Sequence, residues 1–439
     1  MSDVLFARGQ MALSLAFHIV FAAIGIGMPV LMVAAEALTR RTGDPDYRTL
    51  ALRWAKGTAV LFAVGAVSGT VLSFELGLLF PGFMGAAGAV IGMPFSLEGF
   101  AFFTEAIFLG IFLYGRDRLS SRLHVFAGVV VALSGLASAV FVTMANAWMN
   151  APRGFRVAGG AFVDVDPIAA MASPFAAHEI VHTALAAYAA TGFAVAGVHA
   201  FALLRTRRAA APGGTDGPLG RLHRKALGIA LAMALPAALA QPIVGHWAGQ
   251  EVAVLQPAKL AAMEGLVHTG PYAPLHVGPI AIPGGLSVLA FNRPDAVVTG
   301  LEEFPPGDRP HPIVETAFHA MVAAGLAMAC LAVWAIWRFL RRRRHDWSDS
   351  RPFLFASTLA APLGFLAMEA GWIVTEVGRQ PWVVYGILRT ADAVTPMPGL
   401  VGPFIAFAAV YAFLAVVVVA VLWRQVRPTI PGAAPEPQR

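Results

Sequence analysis

A single cysteine, Cys330, is all that this 439-residue chain contains, and it lies inside an apolar run. That scarcity excludes an intrachain disulfide, a thiolate-ligated iron–sulfur cluster and a C-x-x-C-H haem attachment. Charge is scarce too: 13% of residues are Asp, Glu, Lys or Arg against 58% hydrophobic, and the mean hydropathy is +0.69. An ordinary soluble domain is excluded by that balance. No internal repeat is found, and no cleavable signal is expected, because the run from Met11 is too long for an h-region and lacks a small-residue cleavage pattern. The first apolar run is therefore expected to stay in the protein. The net charge of +6 comes from arginines grouped between apolar runs, so no nucleic-acid partner is expected.

What the chain has is long apolar runs, near residues 12–36, 57–80, 97–114, 124–146, 179–204, 225–245, 314–340, 352–374 and 399–423. Each is long enough to span a bilayer at about 20 residues per crossing. The expectation is an all-α integral membrane protein, a bundle of nine transmembrane helices forming one domain over 1–439. Arg40, Arg41, Arg48, Arg53 and Lys56 follow the first run, Arg116, Arg118 and Arg122 the third, Arg205, Arg207, Arg208 and Arg221 the fifth, and Arg341 to Arg344 the seventh. By the positive-inside rule those loops are cytoplasmic, which puts the N-terminus outside and the C-terminus in the cytoplasm. The Pro-rich tail 428–439 is expected to be disordered. Residues 246–313, outside by the same alternation, form a connection far longer than most, and such a loop is usually functional.

Ionisable groups inside these runs cost several kcal/mol and tend to face the bundle interior. A conspicuous set of polar residues in or at the ends of the runs is His18, Glu98 and Glu105, His178 and His182, His319 with the nearby thioether of Met321, and Glu376. On the orientation above, His18, Glu98, His182, Met321 and Glu376 all fall near the outer face, at one expected depth. Cofactors shared between helices of a bundle need such alignment, whereas structural accidents scatter. Each residue also has a plainer reading. His18 alone could be a core histidine bonded to a carbonyl, and a lone Met is usually packing. His178 and His182 share a helix face and could bind one metal; alternatively one is a ligand, and His182 is preferred because His178 is expected nearer the water. Glu98 and Glu105, about 10 Å apart on one stripe, are either a locally bonded pair or a proton relay running inward. Ser138 and Asn146 could extend that relay or act as interhelical glue.

The segment AGWIVTEVGRQPW (370–382) ends a span with Glu376, Arg379 and Pro381. Taken alone, Arg379 neutralises a helix C-terminus and Pro381 stops the helix. Together with RGQMALSLAFHIVF, FSLEGFAFFTEAIFLG, MANAWMN, EIVHT and QPAKLAAMEG, in this order and spacing, GRQPW resembles subunit I of the cytochrome bd quinol oxidases over nearly the whole chain.

That resemblance implies three haems. His182 and Met321 match the axial ligands of a low-spin haem b suited to electron transfer. His18 and Glu376 match ligands of a high-spin haem b and of the oxygen-reducing haem d, without the sequence saying which binds which. Glu98 matches a carboxylate beside these haems, and Glu105 matches a proton-channel carboxylate. Lys259 and Glu264 match quinol-site residues, with ubiquinol or menaquinol as substrate. Arg379 would balance Glu376 or a haem propionate, and Trp372, at i−4 from Glu376, would form an aromatic wall between haems. Ending the helix at the proline would turn Gln380 and Trp382 toward the cofactor edge. The expected activity is quinol oxidation at the periplasmic face and O2 reduction to water with cytoplasmic protons, giving a proton motive force without pumping. Expected partners are subunit II, a very small accessory subunit and the lipid bilayer.

Two departures stand out. The connection lacks a long insertion, placing the chain in a short-loop branch that includes cyanide-insensitive oxidases, some with haem b in place of d. His319 stands where some members carry an Arg near a haem propionate. Among rivals, HPIVE (311–315) resembles a haem–copper ligand motif, but no span carries an adjacent His pair. A bc-type cytochrome b needs His pairs about 13 residues apart, which are missing. A secondary transporter using intramembrane acids such as Glu105 would show inverted repeats and broken helices.

Overall fold

Helix starts in this chain are written in local chemistry. Asp44 caps the second helix by accepting from the Asp46 amide, with Pro45 in the first turn, and Ser120 caps the fourth through the Leu123 amide. Phe80 separates the second and third helices, and Pro81 opens the third. In the computed structural model, which describes residues 3–159, 161–208, 217–278, 280–341 and 350–426, nine helices are long and apolar enough to cross a membrane. They are α1 (Asp3–Thr42), α2 (Pro45–Leu79), α3 (Pro81–Tyr114), α4 (Ser121–Asn150), α5 (Ala176–Arg208), α6 (Pro218–Leu255), α7 (Ile313–Arg341), α8 (Arg351–Val377) and α9 (Val401–Val426). The tail 428–439 and Arg342 to Arg344 lie outside the described residues.

Three expectations need correction. The helices overrun the apolar windows: α3 begins at Pro81 rather than near residue 97, because Phe80 and Pro81, not a fall in hydropathy, divide it from α2. Next, α8 is two segments, Arg351–Ala360 and Leu363–Val377, interrupted at Pro362. Finally, α6 runs to Leu255, so the long connection starts ten residues later than the 246 expected. It is structured, with helices Pro257–Met263 and Gly285–Phe291 and a hairpin pairing Leu275–Val277 with Ile280–Ile282.

The helices alternate in direction. One end of the bundle collects the hairpins, the segment 256–312 and the starts of α1 and α9, tied where Asp3 accepts from the Gly399 and Leu400 amides at 3.1 Å. This is the loop-rich end. The opposite, arginine-rich end is closed by Arg116–Glu36 at 2.6 Å and by Lys225 on Asp44 and Asp46. Between them, small residues let helices touch. Gly364 of α8 lies against the Ala190 backbone of α5, where a Cβ would collide. A core of α5, α6, α7 and α8 fills the middle, and a second joins the 252–301 segment to α7 and α8 at the loop-rich end.

Candidate functional site

Four of the motifs singled out in the sequence meet at the loop-rich end. Asn146 of α4 donates to Glu376 Oε1 of α8 at 2.5 Å, and Arg379 donates to Glu376 Oε2 at 2.6 Å. Arg379 is 1% exposed, yet its Nε and Nη1 have no hydrogen-bond partner. Two unused donor nitrogens on a buried guanidinium can receive an acidic group. One turn along α4, Asn150 joins the rest: its amide nitrogen donates to Asn146 and, at 3.3 Å, to Glu179 of α5. Its Oδ1 accepts from Lys259 at 2.8 Å and from Gln256 at 3.1 Å. MANAWMN, EIVHT, QPAKL and GRQPW thus form one network. Asn150, Glu179 and Gln256 were not singled out from the sequence, although all sit inside the quoted motifs or beside them; nothing local marks an amide as a hub.

Beside this network lies a cavity of about 1250 Å³ between α5, α6, α7, α8 and the 257–290 segment. His182 and Met321 line it from α5 and α7, Lys259 and Glu264 from the connection, and Trp372 from α8. Glycines keep it open. A Cβ on Gly371 would meet Met321 Sδ at 3.0 Å, and one on Gly245 would meet the His182 ring at 3.5 Å. His182 Nδ1 is buried without a partner. An apolar-walled cavity with an imidazole and a thioether beside glycines fits a haem held through His182 and Met321. His178 corrects one expectation: rather than lying nearer water, it is buried between Phe175 and Trp247, because α5 starts under the connection. His319 also lines the cavity.

Glu264 and Lys259 lie outside the spans and carry the clearest electrostatics. Burial, with Glu315 as the second cause, pushes the Glu264 carboxyl up to about 7, and its Oε2 has no partner. Burial, then Arg379, pulls Lys259 below its ordinary range. A carboxyl poised near neutrality can take a proton from a hydroxyl group of a bound substrate.

A second tier lies deeper. The His18 Nδ1 is 2.9 Å from Ser68 Oγ, which itself donates to the Gly65 carbonyl at 3.1 Å. With Ser68 accepting, the proton sits on Nδ1 and Nε2 keeps its lone pair. Glu98 accepts from Ser138 at 3.0 Å, and the Glu105 carboxyl lies against Gly135, one turn further along α4. The single expected depth is corrected here. Ser138 and Asn146, partners of Glu98 and Glu376, are eight residues apart on α4, about 12 Å of rise. The shared depth came from equating helix starts with the starts of apolar runs. Trp372 packs against the core around Ile19 and Ala23, next to His18 on α1. Trp382 does not line the cavity and lies 4.5 Å under the Arg389 guanidinium in a hairpin, while Gln380 accepts from Thr390.

Residues 6–430 match the family described as Cytochrome bd terminal oxidase subunit I. A Bacillus subtilis (strain 168) protein, provisionally named a cytochrome bd menaquinol oxidase subunit I, is 37% identical over 96% of both chains. The cytochrome bd ubiquinol oxidase subunit 1 of the same strain is 29% identical over 97% of this chain and 94% of its own. The solved bd oxidase from Geobacillus thermodenitrificans superposes with a TM-score of 0.88 at 36% identity, covering 97% of this chain and 98% of that one.

Proposed function

The chain belongs to the cytochrome bd terminal oxidase subunit I family, a family of membrane oxidoreductases, and from that premise we propose that it oxidises quinol at the loop-rich face and carries electrons to an oxygen-reducing centre within the bundle. The observation that carries this reading is the shared cavity: His182 and Met321 line the same space as Lys259 and Glu264. A quinol held there lies beside the first electron acceptor. In the same reading the loop-rich end is periplasmic, the segment 246–313 is the quinol-binding loop, and the assembled enzyme includes subunit II, with a small accessory chain.

Each residue's part follows from its surroundings. Lys259, fixed by Asn150, offers a donor to a quinol oxygen, and Glu264 takes the hydroxyl proton. His182 and Met321 would hold a low-spin haem b. His18 and Glu376 would hold a high-spin haem b and the oxygen-reducing haem, d or a further b. These groups supply electron transfer and oxygen activation when bound. Arg379 neutralises Glu376 and turns its two free nitrogens toward an acidic group such as a propionate. Glu105 and Glu98, one above the other on α3, pass protons from the arginine-rich side, with Ser138 holding Glu98 in line. Uptake at one face and release at the other build a proton motive force without a pump.

The test is a dithionite-reduced minus air-oxidised spectrum of the purified oxidase. Haem bands are expected, with a long-wavelength chlorin band if haem d is present, and His182→Ala should remove the low-spin b signal selectively. A haem-free preparation, or loss of a high-spin signal from that variant, would overturn the assignment.

A further inference from the structure

Away from the cavity, between α1, α2 and α9, four polar side chains are shut inside the bundle: Gln10, Ser14, Glu75 and Tyr411 are 2%, 0%, 3% and 4% exposed. Gln10 donates to Glu75 Oε1 at 2.9 Å, and the Ser14 hydroxyl neighbours both the Glu75 carboxyl and the Tyr411 phenol. Beyond the Gln10 bond the group is unsatisfied. Gln10 Oε1, Ser14 Oγ, Glu75 Oε2 and Tyr411 OH all lack a hydrogen bond of ordinary geometry.

Four orphaned oxygens converging from three helices carry a large desolvation cost if nothing lies between them. A buried water typically makes about three hydrogen bonds to groups of this kind. The cluster is also placed in line with the deeper tier. Gln10, Ser14 and His18 follow one another at four-residue steps on α1, about 6 Å each, and Ser68, which accepts from His18, lies two turns from Glu75 on α2. The Phe17 ring packs against Tyr411 at 4.6 Å between centroids, one residue from His18.

We propose that Gln10, Ser14, Glu75 and Tyr411 enclose a bound-water site, and that this site is the way by which product water leaves the His18 pocket toward the loop-rich face. The second half rests on the reading of His18 as a haem ligand given above. Glu98 and Glu105 reach the same tier from the arginine-rich side, so proton entry and water exit use different helices. Gln10, two turns from the start of α1, is the exit-side member.

The experiment is a high-resolution cryo-electron microscopy map of the complete oxidase in lipid nanodiscs, with the reduced-minus-oxidised spectrum of the same sample. Density for water touching Glu75, Ser14 and Tyr411 is expected. Ser14→Val and Glu75→Leu should expel it and lower oxygen reduction several-fold at saturating quinol, with haem bands unchanged. If Glu75→Leu fails to assemble, Ser14→Ala combined with Tyr411→Phe removes two of the partners at nearly constant volume and should do the same. An empty cluster in the wild-type map, a monovalent cation there instead, or full turnover after the water is lost would overturn the proposal. A wild-type sample without haem would overturn the reading of His18 instead, so the two failures are distinguishable.

Discussion

Lys259 donates to Asn150 Oδ1 at 2.8 Å with both residues buried, joining the connection after α6 to the end of α4. The bond holds the lysine stem over Gly378, where a Cβ would meet Lys259 Cγ at 3.1 Å. Asn150→Leu keeps the volume but removes the acceptor for Lys259 and Gln256 and the donor to Glu179. A stability loss of about 1–3 kcal/mol is expected for a buried donor left unpaired. Quinol KM should rise in steady-state assays while the low-spin haem band persists. Loss of that band without a change in KM would show Asn150 to serve the haem pocket alone.

Gly371 decides how closely Met321 can approach α8. At 3.0 Å from a built Cβ to Sδ, alanine forces the thioether to shift by a few tenths of an ångström, and valine forces more. Gly371→Ala should therefore change the position or potential of the low-spin band, and Gly371→Val should abolish it, as read by spectroelectrochemistry. Gly402→Ala on α9, which meets nothing within 4 Å, is the matched control.

Glu264 sets a pH dependence. Its carboxyl, raised to about 7 mainly by burial, must be ionised to accept a quinol proton, so activity should climb as pH rises through about 7. One unit below, only about one carboxyl in ten is ionised. Glu264→Gln should lower quinol oxidation and flatten this limb. Glu315→Gln, which removes the like charge and so eases ionisation, should move the limb to lower pH. A profile unchanged in both variants would exclude Glu264 as the acceptor.

Much of this was legible in the chain. Charge poverty and arginine placement give the bundle, and motif order brings Lys259, Asn146 and Glu376 to one end. What stayed hidden is set by partners far apart in sequence. Nothing beside Asn150 in the sequence points to Gln256, Lys259 and Glu179, which surround it. Nothing in the sequence around Glu75 points to Gln10 and Tyr411, 65 and 336 residues away, which close over it. The helix overruns were hidden for another reason: a hydropathy window measures the bilayer, whereas caps such as Asp44 and breaks such as Phe80 fix where helices end. Two tiers thus looked like one.

The α5–α8 contact offers a test whose first readout, Tm, needs no assumption about cofactors. Gly364 sits so close to Ala190 that even a methyl group collides with backbone, which cannot rotate away as a flexible side chain could. Gly364→Ala gains helix propensity, about 1 kcal/mol, but must separate α5 from α8. Overpacking of this kind costs about 1–3 kcal/mol or more, so the net effect is destabilising. The separation also widens the cavity, since Gly364 and Ala189 both line it. The expected outcome is a lower Tm in detergent for Gly364→Ala, together with weaker retention of the low-spin haem. Gly110→Ala on α3, which meets nothing within 4 Å, should leave both unchanged. Equal Tm values for the two variants would mean that the α5–α8 approach is looser than the backbone contact at Ala190 requires.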